Sequence, residues 1–182
     1  MINESSLSRL KQKMDNHSIG IISAFRGDRT YQENISLHQR LKADLMSKEF
    51  DVTVIKGSYI ENKGEIDERI VDEKSIFVAS KDLGDDNGYL ESVLTRLGEL
   101  LEQDSILSKR HDQEAVLIGT TYRPNADISF GERVPIGEPV MGKIGDYFSK
   151  VRRRPFIFET LKIVPQEYSN ISSLRSSIGG FE

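Results

Sequence analysis

The sequence predicts an α/β protein: a mixed β-sheet with two main amphipathic helices packed against it, followed by an irregular C-terminal extension, with α+β as the open alternative. Three observations point there. Short runs rich in β-branched residues recur along the first two thirds of the chain, two longer segments with apolar residues at helical spacing lie between them, and 182 residues suit one domain with a real core. The expected organisation is a helical lead over 1–17, a single domain over 18–164, and a Ser-rich tail over 165–182.

In chain order, Leu7, Leu10 and Met14 at helical spacing predict a short leading helix over Ser5 to Met14. The apolar run Ser18 to Phe25 reads as a buried strand ended by the turn Arg26-Gly27-Asp28. Thr30-Tyr31-Gln32-Glu33 has the form of a capping box, so a helix should start there, with Leu37, Leu41, Leu45 and Met46 as its apolar stripe, ending near Phe50. Val52 to Ile60 and Ser75 to Ala79 read as strands around a charged loop, Glu61 to Asp72. Apolar residues at 89, 90, 93, 94, 97, 100 and 101 give the clearest helical period. Two more strands are expected, Ser105 to Leu107 and Ala115 to Thr120, separated by a polar turn from Lys109 to Gln113.

Regular structure should end near Thr121, because Pro124, Gly131, Pro135, Gly137, Pro139, Gly142 and Gly145 punctuate the next part of the chain. That region reads as long loop with a short helix near Asp146 to Val151. A last strand is expected over Phe156 to Val164.

Composition excludes several chemistries. With 25 Lys and Arg against 29 Asp and Glu the formal charge is −4, so no global field draws in nucleic acid or an anionic membrane. The chain has no Cys, which removes disulfides, thiolate metal sites and a Cys nucleophile. No apolar stretch is long enough to span a bilayer, and no membrane partner is expected. Gly137 to Lys143 fits G-x-x-x-x-G-K, but Ile144 stands where a magnesium-binding hydroxyl belongs and Pro139 removes an N–H. Asp82 to Gly88 lacks calcium-loop spacing and reads as a turn capping a helix. His17, His38 and His111 have no metal-ligand spacing, and no G-x-S-x-G elbow is present. Neither a metal nor a cofactor is expected.

Two constellations remain. Arg26, Glu33, Asn34, Tyr59, Glu61, Glu73, Ser75, Gln103 and Asp104 stand at the edges of predicted strands and helices, where α/β folds gather functional groups, and could line a polar pocket for a charged small molecule. Capping and turn roles explain several of them equally well. Lys150, Arg152, Arg153 and Arg154 beside Phe156 form the one dense basic cluster and could contact nucleic acid or a protein partner.

The segments Ser23 to Arg26, Glu33-Asn34, Lys56 to Glu61, Glu73 to Val78, Gln103 to Leu107 and Glu114 to Gly119 resemble an uncharacterised family of small phage-encoded proteins. They are more distantly similar to a bacterial domain family of unknown function. The resemblance implies a phage context, in the host cytoplasm or the virion, and carries no catalytic residues. The leading expectation is therefore a non-enzymatic protein acting through protein contacts, as a virion component or against a host factor. A nucleotide- or small-molecule-binding protein or enzyme with the strand-end pocket, and a nucleic-acid binder using Arg152 to Arg154, are the alternatives.

Overall fold

The computed structural model describes residues 6–61, 69–124, 126, 128–141, 147–151 and 154–159, with 57–61, 69–73 and the last two segments described through their backbone. Among the described residues, three helices, α1 (Ser6–Asn16), α2 (Tyr31–Ser47) and α3 (Tyr89–Leu100), accompany eight strands. The strands are β1 (Ile19–Ser23), β2 (Asp51–Glu61), β3 (Arg69–Ala79), β4 (Ser105–Lys109), β5 (Ala115–Gly119), β6 (Arg133–Met141), β7 (Tyr147–Val151) and β8 (Arg154–Glu159).

The strands close into a barrel in the order β1-β3-β2-β7-β8-β6-β5-β4, with β4 returning to β1. The α/β class holds. The expected mixture of parallel and antiparallel strands does not, since every strand pairing among the described residues is antiparallel. Hairpins rather than helical crossovers link β2 to β3, β4 to β5 and β7 to β8, which permits antiparallel neighbours.

Strand alternation puts successive side chains on opposite faces. Ile22, Ile76, Val78, Ile106 and Ile118 form one buried cluster with Leu41 and Leu45 of α2 and Leu90 and Leu94 of α3. Ile19, Ile55, Phe77, Leu107 and Ala115 form the other, covered by Leu10 and Met14 of α1. The expected helical stripes are correct except at their ends, where Met46, Tyr89 and Leu100 face solvent. Two glycines let α3 approach the sheet. A Cβ on Gly20 would overlap the Leu94 side chain, and one on Gly98 would lie 2.8 Å from Ile106 and 2.9 Å from Thr120.

The region beyond Thr121 departs from expectation. Residues 133–141 form β6, and the segment expected as a short helix contains strand β7. The Gly-Pro signals mark an irregularity inside a strand rather than a loop. Pairing with β5 shifts between Ala115 and Val116, whose partners are Gly137 and Pro135, so Ile136 is an extra residue; Gly137 takes φ 84°. Such bulges bend a strand and tolerate Pro and Gly. Beyond the bulge β6 changes partner, from β5 to β8. The G-x-x-x-x-G-K segment thus begins within a strand and not in a phosphate-wrapping loop.

Lys109, expected in a turn, is buried at the end of β4, where its ammonium donates to the Gln113 carbonyl at 2.7 Å and faces Glu138 at 3.5 Å. The charged loop shrinks: β2 runs to Glu61 and β3 starts at Arg69. Asp86 serves the capping role expected of Asp82 to Gly88, accepting from the N–H groups of Gly88 at 3.1 Å and Leu90 at 2.7 Å. No helix among the described residues is long and apolar enough to cross a membrane. The tail over 165–182 lies outside the described residues.

Candidate functional site

Three connections meet at one end of the sheet: the turn from β1 to α2, the turn from α3 to β4, and the segment leaving β5. The first is shaped by short-range polar contacts. The Ser23 hydroxyl donates to the Lys74 carbonyl at 2.9 Å and accepts from the Phe25 N–H at 3.0 Å, turning the chain off the sheet. The capping box then starts α2: the Thr30 N–H donates to Glu33 Oε2 at 2.8 Å, and the Glu33 N–H donates to Thr30 Oγ1 at 3.3 Å. Between them Asn34, buried on the first turn of α2, hydrogen-bonds both backbone groups of Arg26.

The second connection ends α3. The Gln103 N–H donates to the Gly98 carbonyl at 2.9 Å, closing the helix as Glu102 takes the left-handed conformation with φ 56°. The last carbonyls of α3 carry the negative end of the helix dipole and face a group of arginines. Arg29 donates to the Leu101 carbonyl at 3.1 Å and to the Glu102 carboxylate at 3.0 Å, and Arg26 donates to the Glu102 carbonyl. Arg123, from the third connection, reaches Asp104 at 2.5 Å. Thr120 fixes that connection, its hydroxyl donating to the Gln103 carbonyl at 2.7 Å and its N–H to the Asp104 carbonyl at 3.0 Å.

Together these connections enclose an open cleft of about 330 Å³ lined by Phe25, Arg26, Gly27, Asp28, Glu102, Asp104 and Arg123. Arg26 forks onto Asp28, with Nε to Oδ1 at 2.8 Å and Nη2 to Oδ2 at 2.6 Å. The hydrogen bond from Arg26 holds the Asp28 carboxyl down at about 2, and the same bond raises Arg26 further above its ordinary value. The cleft therefore presents fixed charges of both signs, suited to a zwitterionic or cationic ligand. Beside it, His38 on α2 packs edge-on against Phe25 with centroids 5.8 Å apart. Burial, with Lys74 and Lys42 nearby, pushes its imidazole below the ordinary range.

Of the residues singled out in the sequence, Arg26 and Asp104 line the cleft. Gln103 braces it, donating to the Phe25 carbonyl at 3.4 Å, and Asn34 pins Arg26. Glu33 is engaged in the cap. Ser75 is buried, paired in register with Ser23 and Ile55. The backbones of Tyr59 and Glu61 lie on β2 and that of Glu73 on β3, where Glu73 pairs with Gly57; their side chains lie outside the described residues. So do those of Lys150, Arg154 and Phe156, whose backbones lie in β7 and β8, and the whole of Arg152 and Arg153. Sequence reasoning misses Asp28, Glu102 and Arg123. Asp28 reads only as a turn residue, Glu102 adjoins Gln103 and stands two places before Asp104, and Arg123 falls in the segment expected to be irregular.

The sequence profile of the S-Adenosylmethionine lyase family matches residues 20–159, from β1 to the end of β8. No curated protein matches the chain. The match overturns the expectation of a non-enzymatic protein working through protein contacts, because the family is one of enzymes, and it favours the enzyme alternative with a polar pocket. The expected resemblance to a domain family is borne out to that extent, with the family now given. The chain belongs to the S-adenosylmethionine lyase family.

Proposed function

We propose that this protein cleaves a carbon–sulfur bond of S-adenosylmethionine, and that the cleft around Arg26 binds the charged end of the substrate. The family match from β1 to β8 carries the reading, and the charge pattern of the cleft supports it. The substrate's amino-acid end has a carboxylate, an ammonium and, three carbons away, a sulfonium. Arg26 and Arg123 supply positive charge for the carboxylate, and Asp28, Glu102 and Asp104 supply negative charge for the cations. The substrate exchanges for part of the ion pairs these groups make with one another and with Arg29 in the free protein.

Heterolysis at a sulfonium releases a neutral thioether, so the departing group needs no proton. A lyase adds no water, and the electron pair that replaces the carbon–sulfur bond then comes from within the substrate, from its own carboxylate or from a neighbouring C–H bond. A carboxylate held at about 2, as Asp28 is, is a weak base. The cleft is better suited to holding the substrate folded for internal displacement, where fixing the geometry supplies the rate. Tyr59, Glu61 and Glu73 belong to the same proposal as polar residues of the β2–β3 pair, whose Lys74 carbonyl accepts from the Ser23 hydroxyl where the chain turns toward the cleft. The phage context implied by the sequence resemblance belongs to it as well.

The test is incubation of the full chain with S-adenosylmethionine in ¹⁸O-water, with mass spectrometry of the products. Loss of substrate with a methylthio-nucleoside formed, and no solvent oxygen in the first-formed products, is the expected result. Unchanged substrate would sink the activity, and stoichiometric ¹⁸O from the first turnover would make the protein a hydrolase instead. Arg26→Ala and Asp104→Asn should each lower kcat/KM by about tenfold or more, the scale of one charge-assisted hydrogen bond. If the parent is active and both variants match it, the cleft is not the site.

A further inference from the structure

Tyr122 and Phe130 stack face to face, with centroids 4.0 Å apart and planes 13° from parallel. Neither is in the core: Tyr122 is 70% exposed and Phe130 38%. The loop carrying Phe130 is tied to β5. The Gly119 N–H donates to the Glu132 carbonyl at 3.0 Å, the Gly131 N–H to the Gly119 carbonyl at 2.9 Å, and the Ser129 N–H to Glu132 Oε2 at 2.9 Å. The pair is therefore held in place before any ligand arrives, at the surface, with the outer face of Tyr122 open. One residue further along the chain, Arg123 lines the charged cleft. Consecutive Cα atoms are about 3.8 Å apart, a step shorter than a molecule carrying an amino acid at one end and a nucleobase at the other.

We infer that the outer face of Tyr122, backed by Phe130, is the platform on which the adenine ring of the substrate stacks while its amino-acid end occupies the Arg26–Arg123 cleft. A flat, exposed π-face one residue along the chain from Arg123 of the charged cleft matches a ligand with a planar base at one end and a zwitterion at the other. Tyrosine suits the role because its ring presents a large rigid surface at little conformational cost, and stacking needs no particular hydrogen-bond pattern from the base. Phe130 fixes the tilt of the Tyr122 ring, so it acts as a positioning residue.

This inference rests on the adenosyl substrate proposed above, and its test is independent of turnover. Equilibrium dialysis of labelled adenosine against the full chain, Tyr122→Ala, Tyr122→Leu and Tyr122→Phe isolates the base-binding step. Adenosine should bind the parent, with its Kd raised about tenfold in Tyr122→Ala. Tyr122→Phe should restore it to within about twofold, and Tyr122→Leu, which keeps apolar bulk without a π-face, should not. Tyr122 is mostly exposed, so these variants should fold, which their unfolding midpoints check. Failure of the parent to bind adenosine, an unchanged Kd in Tyr122→Ala, or equal rescue by Leu and Phe would each overturn the platform. A chain that binds adenosine in this pattern yet leaves S-adenosylmethionine intact would fail the proposed reaction and retain the platform.

Discussion

Asn34 holds Arg26 as a neighbouring strand would: its Oδ1 accepts from the Arg26 N–H at 3.0 Å and its Nδ2 donates to the Arg26 carbonyl at 2.9 Å. The first turn of α2 is thereby fixed to the residue that anchors the cleft. Replacing Asn34 with Ala removes two hydrogen bonds from a buried site and strands two backbone groups, a loss of about 1–3 kcal/mol. Urea unfolding should show a lower midpoint with an unchanged slope. Asn34→Asp keeps the acceptor and loses the donor, so it should lie between Ala and the parent.

Glu102 occupies the left-handed position that ends α3, with φ 56°, where glycine is the usual residue. Its carboxylate meets Arg29 at 3.0 Å and lines the cleft. Glu102→Gly relieves the backbone and should raise stability by up to about 1 kcal/mol. The same change removes an acceptor for a cationic ligand, so KM for S-adenosylmethionine should rise. A gain in melting temperature with no change in KM would separate Glu102 from substrate binding.

A Cβ on Gly119 would overlap the Ser129 carbonyl, with backbone on both sides of the clash. Nothing there is a flexible side-chain end, so the loop carrying Phe130 must shift. Gly119→Ala should cost about 1–3 kcal/mol. It should also displace Phe130 from Tyr122, which the aromatic proton shifts in an NMR spectrum would report. Gly27→Ala, where a Cβ meets nothing within 4 Å, is the matched control.

The Asp28 carboxyl, held at about 2 by its hydrogen bond from Arg26, should titrate well below 3.8 in an NMR pH series. Because the folded value lies below the unfolded one, the pair favours the folded state above about 3.8, and that contribution disappears as pH falls through about 2. Arg26→Ala should return the midpoint toward 3.8. Near neutral pH neither partner changes charge, so Asp28 should impose no inflection on a pH–rate profile between about 5 and about 9.

Much of the fold is legible in the sequence because its signals are local. Thr30 and Glu33 lie three residues apart and form the capping box they spell. Leu90 and Leu94 sit one helical turn apart and are both buried, and the alternation of Ile76, Phe77 and Val78 divides them between two faces of β3. Local signals also place Arg26 and Asp104 at strand and helix ends, where the cleft is found.

The sequence by itself thus determined the α/β class, the helices α1, α2 and α3, most of the first five strands, and two of the residues lining the cleft. Tertiary structure decided the rest, for one reason: these features depend on partners far apart in the chain. Pro135, Gly137 and Pro139 look like loop residues until Ala115 supplies the opposite side of a bulge. Closure of the barrel pairs Ile19 with Lys109, and neither residue signals the other. The charged cleft exists only because three loops bring Arg26, Glu102 and Arg123 together, residues spread over nearly a hundred positions of sequence. Such proximity is set by the folded sheet beneath the loops, which no local pattern encodes.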